Sequence, residues 1–184
     1  MTMKRYQGFT LIELILSLAI NSIIILSLLS ILKFNVASYK LGEIEDEIIL
    51  NGRYVIEYIK REIRSADKIM SIDKFDSLDE LYKDNIGFVI MHYYPSETYK
   101  YNYSTYYLKD NKIYRIAVNR VDSRLPIGSY FKGHNEIAEY IISIEGTNVD
   151  FDTKVIDISL TLGDRKGKDM KLKSKLKIRC PIVY

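Results

Sequence analysis

Apolar residues dominate the first fifth of the chain. Between Phe9 and Leu32 the only charged residue is Glu13. A helix over this range is about 36 Å long at about 1.5 Å rise per residue, whereas the hydrocarbon core of a bilayer is about 30 Å thick. The range is longer than the core of a secretory signal peptide, and no small-residue cleavage site follows it. We therefore predict a membrane-spanning helix over residues 9–32 that is retained.

A second, amphipathic helical pattern covers residues 33–66. Apolar residues recur there at three-, four- or seven-residue steps, and most charged residues fall off that stripe. The stripe consists of Leu41, Ile44, Ile48, Val55, Ile59 and Ile63. This half-helix should continue the membrane half. Gly42 and Gly52 are its expected weak points, because glycine costs about 1 kcal/mol relative to alanine in a helix.

The period changes to that of β-strands after Ala66. Residues 67–85 predict a connecting loop with a short helix around Leu78 to Tyr82. Strand-like runs follow at 86–94, 99–108, 112–121, 140–145, 155–162 and 170–178. Turns are expected at 109–112 and 163–168, and residues 122–139 are expected to form a long surface segment. Sequential hairpins favour an antiparallel sheet, so the fold class is α+β, with a long N-terminal helix packed on a C-terminal sheet.

The composition argues against enzymatic chemistry. The 184 residues carry 27 Lys+Arg and 24 Asp+Glu, a net charge of +3, and 47% are hydrophobic, which excludes a disordered chain. The single cysteine, Cys180, excludes an internal disulfide and a cysteine-cluster zinc site. Of the two histidines, His92 is predicted to be a partly buried strand residue and His134 a loop residue. No catalytic motif accompanies them, so no enzyme activity, cofactor or metal is expected.

Glu13 is costly inside a membrane helix and needs a reason. One explanation is a capping box, because Thr10 precedes Glu13 by three residues and a carboxylate in the first turn suits the helix dipole. The other explanation is that Glu13 recognises a cation that another chain presents within the membrane. Local physics leaves both open.

The residues around Glu13 resemble a known signal. Lys4, Arg5 and Gly8 form a short basic leader that runs into Phe9 and the string GFTLIEL. This resembles the class III signal of type IV prepilins and pseudopilins. The resemblance implies that a membrane prepilin peptidase cleaves between Gly8 and Phe9 and methylates the Phe9 amine. It also implies that Glu13, flanked by Thr10, meets the Phe9 amine of a neighbouring subunit during assembly.

A second string resembles one branch of these proteins. Residues 51–64, NGRYVIEYIKREIR, look like the signature of PilW-type minor pilins and, more distantly, of GspJ-type minor pseudopilins of type II secretion. Major pilins usually carry a proline that kinks the first helix, and Ser30 stands where that proline would be expected. The spanning helix is therefore expected to stay straighter than in a fibre-forming subunit.

Together these patterns predict a minor pilin or pseudopilin with a lollipop plan. Residues 1–8 would be the leader, 9–32 the transmembrane and assembly helix, 33–66 its amphipathic half and 67–184 the β-rich head. Expected partners are other major and minor pilins or pseudopilins, the prepilin peptidase and the inner-membrane assembly platform. The precursor would sit in the cytoplasmic membrane with its N-terminus inside, and then enter a pilus or pseudopilus at or near the tip. The alternatives are a single-pass anchored binding module or sensor, and a DNA-binding competence pseudopilin.

Two surface features of the predicted head remain open. Seven tyrosines fall between Tyr93 and Tyr107, and Tyr99, Tyr101 and Tyr103 would share one strand face. They predict either an adhesive surface or, more simply, cross-strand packing.

The last strand carries a row of cations. Basic residues alternate with mostly apolar ones, which places five cations on one face, namely Lys171, Lys173, Lys175, Lys177 and Arg179. The row is either a phosphate-binding surface or a solvated edge that discourages aggregation.

Overall fold

The computed structural model describes residues 10–163 and 169–184. The chain divides into a first unit that ends at Glu45 and a second unit that covers Asp46–Tyr184. The described part of the first unit consists of Thr10 and the first part of helix α1 (Leu11–Ser65). The rest of α1 belongs to the second unit.

The first unit is an apolar helix with exposed side chains. It is long and apolar enough to cross a membrane, with an 18-residue stretch of mean hydropathy 2.5. Ser17, Ser22, Ser27 and Ser30 each donate their hydroxyl to a carbonyl three or four residues earlier, at 2.8–2.9 Å. These bonds satisfy the hydroxyls without water, so they suit a lipid environment. α1 runs without interruption past Ser30 and Gly42.

The described residues of the second unit form the rest of α1, a short helix α2 (Leu78–Leu81), two 3₁₀ turns (Ile72–Lys74 and Gly128–Tyr130) and ten strands. The strands are β1 (Lys68–Ser71), β2 (Phe88–Tyr93), β3 (Tyr101–Lys109), β4 (Lys112–Arg120), β5 (Lys132–Ala138), β6 (Ile141–Ser143), β7 (Asn148–Asp150), β8 (Val155–Leu162), β9 (Met170–Lys177) and β10 (Ile182–Val183).

The described strands form two sheets. The first has the order β10-β1-β2-β3-β4-β5, and every neighbouring pair is antiparallel except β1 with β10, which is parallel. In the second sheet β8 pairs with β9 on one edge and with β6 and β7 on the other. The α+β class is confirmed, with a mixed rather than wholly antiparallel first sheet.

Two hydrophobic cores hold the second unit together. In the first, the buried face of α1 packs with residues of both sheets, such as Phe88, Tyr106, Ile156 and Leu160. The second core contains Phe75, Leu78, Tyr103 and Phe131. Successive strand residues face opposite sides, so Tyr103 and Tyr106 of β3 enter different cores.

The predicted apolar stripe is buried only in part. Ile48, Val55, Ile59 and Ile63 are buried, together with Gly52 and Ile56. Leu41 and Ile44 lie in the first unit and remain 65% and 40% exposed. The helix continues through Gly52, so this expected weak point does not interrupt α1. A Cβ at Gly52 would meet Leu172 Cδ1 at 2.9 Å and would crowd the Leu162 side chain, so the glycine permits close packing of helix and sheet.

Most strand predictions are confirmed, and the errors fall on short or polar strands. The predicted loop 67–85 contains β1 as well as the expected short helix α2. The predicted surface segment 122–139 contains β5, so His134 is a strand residue and the loop prediction for it is wrong. β5 (KGHNEIA) is an edge strand with mostly exposed side chains, and it therefore lacks an apolar alternation. β7 and β10, with three and two residues, are too short to give a periodic signal.

The turn at 109–112 is confirmed. Asp110 and Asn111 have φ of 52° and 60°, as a two-residue hairpin turn between β3 and β4 requires. Residues 164–168 of the other predicted turn lie outside the described residues.

The tyrosine cluster is mainly a packing feature. Tyr93 and Tyr101 form a cross-strand pair with ring centroids 5.0 Å apart, and Tyr107 stacks on Tyr114 at 5.5 Å. Tyr99 precedes β3 and is 56% exposed, so the predicted three-ring face is not formed. These contacts favour cross-strand packing over a continuous adhesive face.

Candidate functional site

The start of α1 brings together two of the predicted assembly residues. Glu13 Oε2 accepts hydrogen bonds from the Thr10 backbone N–H at 2.9 Å and from the Thr10 hydroxyl at 2.8 Å. The Glu13 backbone N–H donates to Thr10 Oγ1 at 3.4 Å. This reciprocal arrangement is a capping box, which satisfies donors that the first helical turn leaves without intrahelical partners.

The capping box leaves the Glu13 side chain accessible. Every described bond to the Glu13 carboxylate reaches Oε2, and the surrounding helix surface is exposed and apolar. Lys4, Arg5, Gly8 and Phe9 lie outside the described residues, so the leader, cleavage and methylation assignments stay predictions.

The predicted row of cations is confirmed as an exposed face of β9. Lys171, Lys173, Lys175 and Lys177 are exposed, whereas Leu172, Ser174 and Leu176 between them are half-buried. Arg179 is also exposed but follows the end of the strand. Within the described residues β9 pairs with β8 alone, so its other edge has no strand partner.

The charge of this row is uneven. Lys175 Nζ lies 3.4 Å from Asp157 Oδ1 across the β8–β9 pair, with side chains 71% and 47% exposed. Hydrogen bonds from Thr153 lower the pKa of Asp150, and the charge of Lys175 adds to that effect. In the described structure Lys171, Lys173 and Lys177 have no ion pair. The sequence did not reveal Asp157 as a partner, because the pairing depends on cross-strand register.

A shallow depression of about 510 Å³ adjoins the same face. Lys173, Lys175, Asp157 and Ser159 line it together with Gly146. Ser159 is opposite Lys173 in the β8–β9 register. The depression on the outer face of the second sheet is therefore lined by two lysines and one carboxylate.

The polar residues inside the second unit make structural contacts. His92 is a strand residue, as predicted, but it is buried rather than partly buried, and its Nε2 lies 3.2 Å from Ser65 Oγ at the end of α1. His134 Nδ1 lies 2.7 Å from the Tyr107 hydroxyl. Burial raises the pKa of the Cys180 thiol, which disfavours the reactive thiolate. The described residues contain no group of three or more potential metal ligands.

Comparison with known proteins places the first site in context. The model of the prokaryotic N-terminal methylation motif matches residues 3–31. No curated protein and no solved structure gives a significant match to the chain. The matched range includes Gly8, Phe9 and Glu13, and its apolar helix fits a membrane-anchored precursor. The motif also indicates a structural rather than an enzymatic protein. Over residues 3–31 this chain is therefore similar to prepilin-type proteins and carries their N-terminal methylation motif.

Proposed function

We propose that this protein is a minor pilin or minor pseudopilin of the PilW or GspJ type. The observation that carries the proposal is the methylation motif at residues 3–31, directly ahead of an apolar helix whose first turn holds Glu13. In this proposal residues 1–8 are the leader, 9–32 the assembly helix, 33–66 its amphipathic continuation and 67–184 the head.

The membrane half of α1 supplies the assembly surface. Its apolar side chains are exposed, for example Leu16 at 62% and Leu26 at 63%. They would lie in lipid before assembly and against helices of other subunits afterwards. A neighbouring Phe9 ammonium beside Glu13 would keep the carboxylate charged in that apolar setting, because an unpaired charge there is costly.

The minor rather than major role rests on two features. Ser30 stands in an unbroken helix where a fibre-forming subunit usually has a proline, and residues 51–64 carry the PilW-like string. The proposed subunit joins other minor subunits to start a filament and stays at or near its tip. Its partners would be major and minor pilins, the prepilin peptidase and the assembly platform of the inner membrane.

Maturation provides the test. The chain, produced in cells that contain a prepilin peptidase, should start at Phe9 with a methylated amine, as read by mass spectrometry of its N-terminal peptide. Gly8→Val should block cleavage, since a β-branched side chain does not fit a site that accepts glycine, whereas the neighbouring change Gln7→Val should leave cleavage intact. An intact leader in the unmodified chain would instead support the single-pass anchored module or sensor.

A second measurement separates a minor from a major subunit. Deletion of the gene should reduce the number of filaments, and the protein should be scarce relative to the main subunit in sheared filaments. Abundance equal to that of the main subunit would contradict the minor role.

A further inference from the structure

The outer face of the second sheet has the character of a binding surface for a linear polyanion. Its lysines all belong to one strand, β9, at the edge of the sheet. Lysines two residues apart on a strand are about 6.7 Å apart, so Lys171 to Lys177 extend over about 20 Å. The whole stretch from Asp164 to Arg179 contains eight basic and two acidic residues, in a chain whose net charge is +3.

The lysine side chains of β9 are not part of a hydrophobic core. Their strand is anchored through Leu172 and Leu176, which pack against the first core, while the lysine side chains point away into solvent. Lysines on an exposed strand also discourage edge-to-edge pairing, so the DNA-binding measurement below has to separate the two roles.

We propose that this face binds the phosphate backbone of duplex DNA. A duplex presents one phosphate per 3.4 Å of axis on each strand, so a row of about 20 Å can reach several phosphates at once. No aromatic residue interleaves the cations between Met170 and Arg179, which disfavours a single-strand stacking surface. Lysine is a point charge without a planar fork, so the contacts recognise phosphates rather than bases.

Because the charge of the row is uneven, its lysines should contribute unequally to DNA binding. Lys171, Lys173 and Lys177 have no described ion pair, whereas the Asp157 carboxylate lies beside Lys175 and would repel a phosphate there. Removal of Lys173 should therefore weaken binding more than removal of Lys175. Replacement of Asp157 by Asn should strengthen binding, because it releases Lys175.

The experiment uses the full chain in a neutral detergent and a fluorescent duplex of about 30 base pairs. Fluorescence anisotropy is measured between about 50 and 200 mM salt. Three to four phosphate contacts predict a slope of log K against log salt of about −2.7 to −3.6, at about 0.9 per contact. Lys171→Glu/Lys173→Glu should lower the affinity at least tenfold. The control Lys109→Glu/Lys132→Glu, with the same change in charge on two exposed lysines of the first sheet, should lower it much less.

Several outcomes would overturn the proposal. These are absence of DNA binding at the lowest salt, equal losses in the two double variants, and a complex that forms with dextran sulfate but not with DNA. Increased affinity of Asp157→Asn, with a smaller loss for Lys175→Ala than for Lys173→Ala, would support it. Circular dichroism of each variant checks that the fold is intact. The inference does not rest on filament assembly, so its failure would leave the maturation test unaffected.

Discussion

The Arg115 guanidinium on β4 lies 3.2 Å from Glu62 Oε2 on α1, and the two side chains are only 17% and 19% exposed. The pair links the helix to the first sheet across 53 positions of sequence. Arg115 Nη2 also lies 3.5 Å from Asn102 Oδ1. If one partner is removed, the remaining charge stays desolvated. Loss of that partner should therefore lower the free energy of unfolding by more than the intact pair contributes to it.

Breaking this pair is the first prediction. Arg115→Met should lower the free energy of unfolding by about 2–3 kcal/mol, because it leaves the Glu62 carboxylate half-buried without its partner. Glu62→Gln in the same chain should restore part of the loss. The measurement is urea unfolding of the full chain in neutral detergent, followed by the near-ultraviolet circular dichroism of tyrosine.

The exposed pair of Lys175 and Asp157 is the matched control. Lys175→Met should cost no more than about 1 kcal/mol, because solvent screens such pairs. An equal loss of unfolding free energy in Arg115→Met and Lys175→Met would contradict the prediction that a buried ion pair is costlier to break than an exposed one.

The second prediction compares two helical glycines. Gly52→Ala should destabilise the protein by up to about 2 kcal/mol, because overpacking against the flexible ends of Leu162 and Leu172 costs about 1–3 kcal/mol and alanine regains about 1 kcal/mol of helix propensity. Gly42→Ala meets nothing within 4 Å and should be neutral or stabilising by up to about 1 kcal/mol, as helix propensity alone predicts. Thermal unfolding of both variants decides the matter, and stabilisation by Gly52→Ala would disprove the close packing.

The third prediction concerns alkaline stability. Burial raises the pKa of Tyr106 well above the ordinary value of 10, and the neighbouring Glu62 charge raises it further. The unfolded chain therefore loses this proton at lower pH than the folded chain does. Stability should consequently be unaffected below about pH 10 and fall as the pH rises above it.

Tyr106→Phe tests this assignment. The Tyr106 hydroxyl has no hydrogen bond of good geometry within the described chain, so the variant should keep nearly full stability at pH 7. Between about pH 10 and 11, its free energy of unfolding should fall less than that of the unmodified protein, as measured by urea unfolding. Tyr130→Phe, at an exposed position, is the control and should behave like the unmodified protein. An unchanged alkaline loss in Tyr106→Phe would refute the assignment.

The fourth prediction separates the two roles of Glu13. Glu13→Gln retains an acceptor for the Thr10 N–H and hydroxyl, so the helix start and cleavage at Gly8 should be unaffected. The variant lacks the negative charge, so its incorporation into filaments should fall if the carboxylate pairs with a neighbouring Phe9 amine. Immunoblots of sheared filaments measure this, with the variant as the sole copy.

Thr10→Val is the matched control for that experiment, because it removes the capping hydroxyl and keeps the Glu13 carboxylate. Incorporation that falls in Thr10→Val but stays normal in Glu13→Gln would assign Glu13 to the cap. Normal incorporation of Glu13→Gln would remove the pairing role for this subunit.

The sequence alone determined the features that depend on local periodicity. Backbone geometry fixes the side-chain periods of helices and strands. It was therefore possible to predict the apolar run, the amphipathic stripe that includes Val55 and Ile59, and the strands of the long hairpins. The T-x-x-E capping box and the alternating lysines of β9 could be predicted for the same reason.

Tertiary structure decided which of these residues meet. Three contacts join residues that are distant in sequence: the pairing of β10 with β1, the ion pair of Glu62 with Arg115 and the ion pair of Lys175 with Asp157. Strand order and cross-strand register set these contacts, and neither leaves a periodic signal in the chain. Gly52 shows the same limit. Helix propensity identifies it only as a weakness, whereas the structure shows that Leu162 and Leu172 pack against the space left by its missing side chain.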